Sequence, residues 1–304
     1  MSALDPAGPA AESIARVWWV MLGGSFLILG AVVALALYAI YGRGERRSGI
    51  TPRLLIVGGG LVFTPAVLAA LLIWGIGAGH ALLPLPGERE VFRVEVRAHQ
   101  WWWEVTYPDT EGGALHAANE IHIPAGRPVD ITIRAEDVIH SFWVPRLGGK
   151  IDALPGRSNV IRLEAPEAGV YRGQCAEFCG AQHSRMALLI EAHEAEALEE
   201  RLALLSRTRE TDSADAPGAA AFQEHCAVCH SLDPRARAAT PAPNLADLPH
   251  RATLGAGTLP NEEGALLRWL GNHQNLKPGN RMPRHDHLDP ETLEAIADHL
   301  EGPG

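Results

Sequence analysis

Residues 171–186 read YRGQCAEFCGAQHSRM and place Cys175, Cys179, His183 and Met186 within twelve positions. His140 lies upstream, at the end of a strand-like run. Two thiolates, two imidazoles and a thioether form a soft donor set that favours copper over magnesium or calcium. Structural zinc sites close a tetrahedron with four Cys or His ligands and leave Met186 without a use. A Cys-x-x-x-Cys pair also suits a redox dithiol or the single-copper site of a thioredoxin-like chaperone. That alternative needs a strand-to-helix setting around the cysteines.

The surrounding pattern is instead all-β. Residues 91–96 (VFRVEV), 119–124 (NEIHIP), 129–134 (VDITIR) and 159–163 (NVIRL) alternate apolar and polar side chains between Pro and Gly punctuation, and 186–192 (MALLIEA) supplies a further strand. Short strands with period-2 burial predict an antiparallel sandwich or barrel with one packed face. Residues 194–206 (EAEALEERLALLS) change to helical spacing and predict a closing helix. Residues 207–218 are polar and turn-rich and suit an exposed linker.

Ahead of the β pattern, residues 17–41 and 54–79 contain no Asp, Glu, Lys, Arg or His. Each run exceeds the ~20 apolar residues that cross a bilayer. The first is too long for a signal-peptide core of roughly 7–15 residues. A two-helix transmembrane hairpin is expected, within a first segment spanning 1–83. Arg43, Arg46, Arg47 and Arg53 lie between the runs, whereas only Arg16 precedes them. Basic flanks stay cytoplasmic, so both termini and everything after residue 80 are expected outside the cytoplasm. From Leu54 onward the chain has 33 acidic and 21 basic side chains, which argues against nucleic acid and suits basic protein partners.

The other two cysteines sit in CAVCH, residues 226–230, the attachment pattern for a covalent c-type haem. In that pattern both thiols add to the haem vinyl groups and the adjacent histidine ligates iron, roles expected here of Cys226, Cys229 and His230. Helical stretches at 219–229, 262–272 and 290–301 make residues 219–304 a small all-α module, the last helix opening at Asp289 with Pro290 in its first turn. Only two methionines follow residue 21, and the copper pattern uses Met186. Met282 in NLKPGNRMP is therefore the expected second axial ligand, which raises the haem potential; His273, His285 and His287 compete for that position. His99, His122 and His225 have no partners at ligand spacing.

Val138–His140 followed by CAEFCGAQHSRM resembles the CuA signature of cytochrome c oxidase subunit II, over residues 14 to about 206. The NLKPGNRMP segment and TPAPNL at 240–245 resemble the loops of small cytochromes c, so the whole resembles a caa-type subunit II. The resemblance implies a cupredoxin-like Greek-key sandwich over 88–206 and a class I cytochrome c domain after it. It implies two copper ions bridged by Cys175 and Cys179, one completed by His140 and Met186, the other by His183 and the backbone carbonyl of Glu177. The Glu177 side chain would also reach a magnesium or manganese ion at the interface with the catalytic subunit. HQWWWEV at 99–105 resembles the segment that receives electrons from cytochrome c, with Trp101 the candidate. KIDALPGRSN at 150–159 resembles the loop ahead of the ligands, where Asp152 and Arg157 would assist that same interface.

The resemblance thus implies a non-catalytic electron-transfer subunit of a proton-translocating oxidoreductase in the bacterial inner membrane. Its expected partners are lipid, catalytic subunit I, subunit III and a soluble or membrane-bound cytochrome c. Family members often begin the second span with a Glu before Trp-Thr, whereas TPRLLIVGGGLVFTP holds no acid. Alternatives with the same modules are a nitric oxide reductase subunit and a stand-alone membrane-tethered electron carrier or copper-delivery protein.

Overall fold

A computed structural model describes residues 2–42, 51–80, 82–108, 110–207, 216–237 and 240–302. Arg43, Arg46 and Arg47, most of the proposed linker and the last two residues of the chain lie outside the described residues. The chain divides into two units, Glu12–Leu83 and a second made of Met1–Ala11 with Pro84–Gly304.

The first unit carries the apolar runs. Helix α1 covers Pro9–Tyr41 and α2 covers Leu54–His80. The first is longer than the 17–41 apolar run because helical hydrogen bonding continues through PAAESIAR, residues with good helix propensity after a proline suited to the first turn. The apolar side chains face outward: Leu27 is 78% exposed and Ile73 73%. Water would not tolerate so continuous an apolar surface, and a bilayer would.

In the second unit the alternating segments form two five-stranded sheets. One has the order β3 (Leu115–Ala118), β2 (Trp102–Tyr107), β1 (Phe92–His99), β5 (Val129–Ala135), β8 (Asn159–Leu163). The other has the order β4 (Glu120–Pro124), β10 (Ala187–His193), β9 (Gly169–Cys175), β6 (His140–Trp143), β7 (Lys150–Ala153). Pairings β1–β5 and β10–β4 are parallel and the rest antiparallel, the crossed order of a Greek-key cupredoxin-like sandwich. Val94, Val96, Ile131, Ile133, Trp103 and Phe142 fill the space between the sheets. Each such burial contributes roughly 1.5–3 kcal/mol. Helix α3, Ala195–Leu205, closes the sandwich through Leu205.

The last segment is helical as expected, with α4 (Pro217–His225), α5 (Ala265–Leu276) and α6 (Pro290–Glu301) around a core of Phe222, Leu266, Leu270 and Ile296. A short β11–β12 ladder (Thr253–Leu254, Leu259–Pro260) adds one turn of sheet. Helix α6 starts at the anticipated residue, with Asp289 accepting from the Thr292 N–H at 2.8 Å. Helix α5 starts at Ala265 rather than 262, because Gly264 adopts a left-handed φ of 75° that a helix cannot continue through. Gly218 lets α4 cross α6 closely, since a Cβ there would strike the Ala295 carbonyl.

The helical module is seated on the sandwich by polar contacts. Arg237 pairs with Glu104 through both carboxylate oxygens at 2.8 and 3.0 Å, and Glu120 accepts from the Ala252 and Thr253 N–H groups. Burial opposes the Glu104 charge, but hydrogen bonds from His99 and Arg237 outweigh it and bring the carboxyl down to about 2. Its stabilisation is therefore complete above the ordinary carboxylate pKa and lost as pH falls toward 2. Arg237 is 49% exposed, so screening trims the contribution to on the order of 2 kcal/mol. Denaturant titrations of the full chain at pH 7 and pH 3 should show this loss, and Glu104→Gln should remove that part of the pH dependence.

Candidate redox centres

The ligand candidates of residues 171–186 occupy the end of strand β9 and the loop that leads into β10, while His140 opens β6. Cys175 and His140 come together because Phe142 of β6 pairs with Cys175 of β9. The sulfurs of Cys175 and Cys179 are 3.7 Å apart, too far for a disulfide and close to the edge of a tetrahedron with metal–sulfur bonds of about 2.3 Å. His140 Nδ1 is 3.8 Å from the Cys175 sulfur, His183 Nδ1 is 3.7 Å and Met186 Sδ 3.9 Å from the Cys179 sulfur. The Glu177 carbonyl oxygen lies 3.2 Å from the Cys175 sulfur. The six expected donor residues thus gather around the two sulfurs, whereas the Glu177 side chain is exposed, as are Asp152 and Arg157.

Neighbouring groups orient this set. His140 Nε2 is bound to Asp137 Oδ1 at 2.9 Å, which leaves Nδ1 free toward the sulfurs. Burial opposes charge on His140, but Asp137 and Cys175 raise its pKa. Burial also opposes charge on Asp137, yet hydrogen bonds from His140 and from the Gln100 and Val138 N–H groups bring it down to about 2. The hydrogen bond from Cys179 drives Cys175 toward thiolate, and Cys179 keeps the shared proton. A metal ion would displace that proton. The donor chemistry fits copper.

The Trp101 indole N–H donates to the Cys179 carbonyl at 3.1 Å, and Gln100 Nε2 donates to the same oxygen at 2.7 Å. Gly180 between them and His183 has φ 119°, and a Cβ there would press on the Trp101 ring.

In the helical module Cys226 ends helix α4 and the chain turns through Cys229 to His230, whose N–H donates to the Cys226 carbonyl. His230 Nδ1 contacts the Pro243 carbonyl at 2.7 Å, which fixes the proton on Nδ1 and presents a bare Nε2 to a metal. Burial lowers the His230 pKa and favours this neutral form. Burial also raises the Cys226 thiol to about 11. Met282 packs against the Phe222, Cys226 and Leu270 cluster. The competing histidines are otherwise engaged: His273 is buried beside Asn280, His285 faces the Leu270 carbonyl, and His287 lies against His225. Two thiols at attachment spacing, an oriented imidazole, and a thioether that shares its apolar core with Cys226 fit a covalent haem.

Sequence spacing missed a third cluster. Parallel pairing of β4 with β10 brings His122 Nδ1 to 3.0 Å from His193 Nε2 and 3.1 Å from Glu191. Arg201 Nε donates to His122 Nε2, so Nδ1 carries the proton and the trio is a hydrogen-bond network rather than an open donor set.

A membrane-anchored cupredoxin-like domain with a CuA-type donor set, joined to a cytochrome c domain, defines the class. The family described as cytochrome c oxidase subunit II, periplasmic domain, matches residues 110–193, and the cytochrome c family matches residues 216–302. Cytochrome c oxidase subunit 2 of Alkalihalophilus pseudofirmus is 32% identical over 320 residues, covering 99% of this chain and 90% of the relative. That of Bacillus sp. (strain PS3) is 33% identical over 220 residues, covering 68% of this chain and 61% of the relative. The crystal structure of the periplasmic domain of subunit II of cytochrome oxidase from Bradyrhizobium japonicum aligns with a TM-score of 0.37 and 28% identity, over 39% of this chain and 95% of that one. The chain belongs to the cytochrome c oxidase subunit 2 family, in the form fused to a cytochrome c domain, and its two domains imply copper and haem c.

Proposed function

We propose that this chain receives electrons for a haem-copper cytochrome c oxidase through its own haem module. When bound, haem c and a copper pair supply two one-electron stations between a cytochrome c donor and the catalytic subunit that reduces oxygen. Cys226 and Cys229 would hold the haem covalently, and His230 and Met282 would hold its iron. Cys175, Cys179, His140, Met186, His183 and the Glu177 carbonyl would hold the copper pair, which would supply a soft one-electron site. The exposed Glu177 carboxylate would reach a magnesium or manganese ion at the interface with subunit I, an interface that Asp152 and Arg157 would also assist. Subunit III completes the assembly, and the soluble modules lie on the periplasmic side with both termini.

The observation that carries this reading is the seat of the haem module. The Lys277 ammonium of the haem module donates to the Trp101 carbonyl at 2.8 Å, and the Trp101 indole N–H reaches the carbonyl of the copper-site Cys179. Both redox centres look closed to substrate, as suits rigid electron carriers with little reorganisation. Helix α2 offers no acidic side chain to a proton path, since Leu54–His80 contains none.

Metal and haem analysis of the purified chain tests the assignment. Two coppers and one covalent haem per chain, with a seven-line copper signal in electron paramagnetic resonance, are expected. A single zinc held by Cys175 and Cys179 would overturn it.

A further inference from the structure

Lys277 is one of two lysines in the chain, and it is only 3% exposed. Its ammonium donates to three backbone carbonyls: Trp101 at 2.8 Å, Arg185 at 2.8 Å and Gly255 at 2.7 Å. The first two belong to the copper-bearing sandwich and the third to the helical module. An ammonium has three donors, and here each meets one carbonyl acceptor, while burial draws its pKa down to about 7. A buried charge of this kind is costly unless paired so completely, and it discriminates sharply against any displaced arrangement of the two modules.

The cage sits between the two redox centres. Trp101 reaches the Cys179 carbonyl through its ring, and Arg185 directly precedes Met186. On the other side, Lys277 begins a loop that is internally tied. Asn280 Nδ2 donates to the Lys277 carbonyl, Asn280 Oδ1 accepts from the Met282 N–H, and Gln274 Nε2 donates to the Met282 carbonyl. These bonds hold Met282 within the helical module without help from the Lys277 ammonium, so that the ammonium sets where the loop and its module sit on the sandwich. Gln182 Nε2 on the Pro278 carbonyl at 2.6 Å, and the Arg185 side chain on the Leu276 carbonyl, add contacts at the same spot.

We propose that Lys277 is the positioning residue for electron transfer between the modules: it pins the Met282-bearing loop to the Trp101 backbone and so fixes the separation of haem and copper. This rests on the haem-to-copper route proposed above. Tunnelling falls exponentially with distance, so a module held in one seat transfers electrons at a fixed rate. A module that must find its seat transfers them at a rate limited by the search. Neither end of the pin is a ligand, so its removal leaves both centres chemically unchanged.

The test is Lys277→Met in the assembled oxidase, with the haem photoreduced and copper reduction followed in time. In the unaltered protein the rate constant should be independent of solvent viscosity. In the variant it should fall at least about tenfold and become viscosity-dependent, because three carbonyls lose their donor in the seated state. Haem potential and copper paramagnetic resonance should not move. Independently of electron flow, hydrogen exchange should accelerate at the amides of Ala187 and Ala252, which bond across the modules to Ala256 and Glu120. An unchanged rate with unchanged exchange overturns the proposal, as does a slowed rate accompanied by a shifted potential. Absence of haem-to-copper transfer already in the unaltered protein would instead defeat the route itself, and the proposal with it. If Lys277→Met does not fold, Lys277→Gln, which keeps two donors, should give a smaller loss in the same direction.

Discussion

Cys175→Ser is expected to empty the copper centre while leaving the haem module folded and its visible spectrum intact. The Cys175 sulfur is the meeting point of the site: the Cys179 sulfur lies at 3.7 Å, His140 Nδ1 at 3.8 Å and the Glu177 carbonyl at 3.2 Å. A serine hydroxyl is a hard, protonated donor that does not replace a soft bridging thiolate. With one bridge gone neither ion keeps its set, so copper should drop from two to less than one per chain and the seven-line signal should vanish. Oxidation of cytochrome c by the complex should slow by at least about a hundredfold, the upper end of what loss of a mere supporting partner costs a metal site. The haem core of Phe222, Leu266 and Ile296 shares no residue with the copper cluster, which is why its spectrum should persist. Copper retained at two per chain would refute the ligand assignment.

Met282→Ala is expected to lower the haem potential by on the order of 0.1–0.2 V, a fraction of the ~0.8 V over which axial ligands tune haem iron. Thioether ligation favours the reduced iron, and its loss hands the position to water or to a neighbouring imidazole. His273 and His285 are near enough in sequence to compete, but each already has a partner, Asn280 and the Leu270 carbonyl respectively. Redox titration of the haem band gives the potential, and copper paramagnetic resonance should be unchanged. An unaltered potential would move the axial assignment away from Met282.

The parts of the fold legible in sequence are those whose burial is one-sided. Residues 92–99, 129–135 and 187–193 alternate because one face of each strand packs and the other does not, and the alternation survives as a pattern of side chains. Strand β2 escaped such a reading because WWEVTY is covered on both faces, by the opposite sheet and by the Arg237 loop, so its burial does not alternate. Strands β6 and β7 have four residues each, too few for a period to emerge. The start of helix α5 shifted for a local reason, the left-handed Gly264, that composition alone does not disclose.

Cofactor chemistry was determined by the sequence itself, because its donors are concentrated: Cys175 to Met186 in twelve residues and Cys226 to His230 in five. Short spacing restricts what those side chains can do, and their softness selects the metal. What only the tertiary structure decided is longer in range. His140 reaches the sulfurs through strand pairing, Asp137 turns its ring, and His122 meets Glu191 and His193 through a parallel ladder. The seat of the haem module depends on Lys277, whose partner Trp101 is 176 residues away. A lysine and a backbone carbonyl carry no mark of each other in sequence, since every residue offers the same carbonyl, and only packing selects which three it meets.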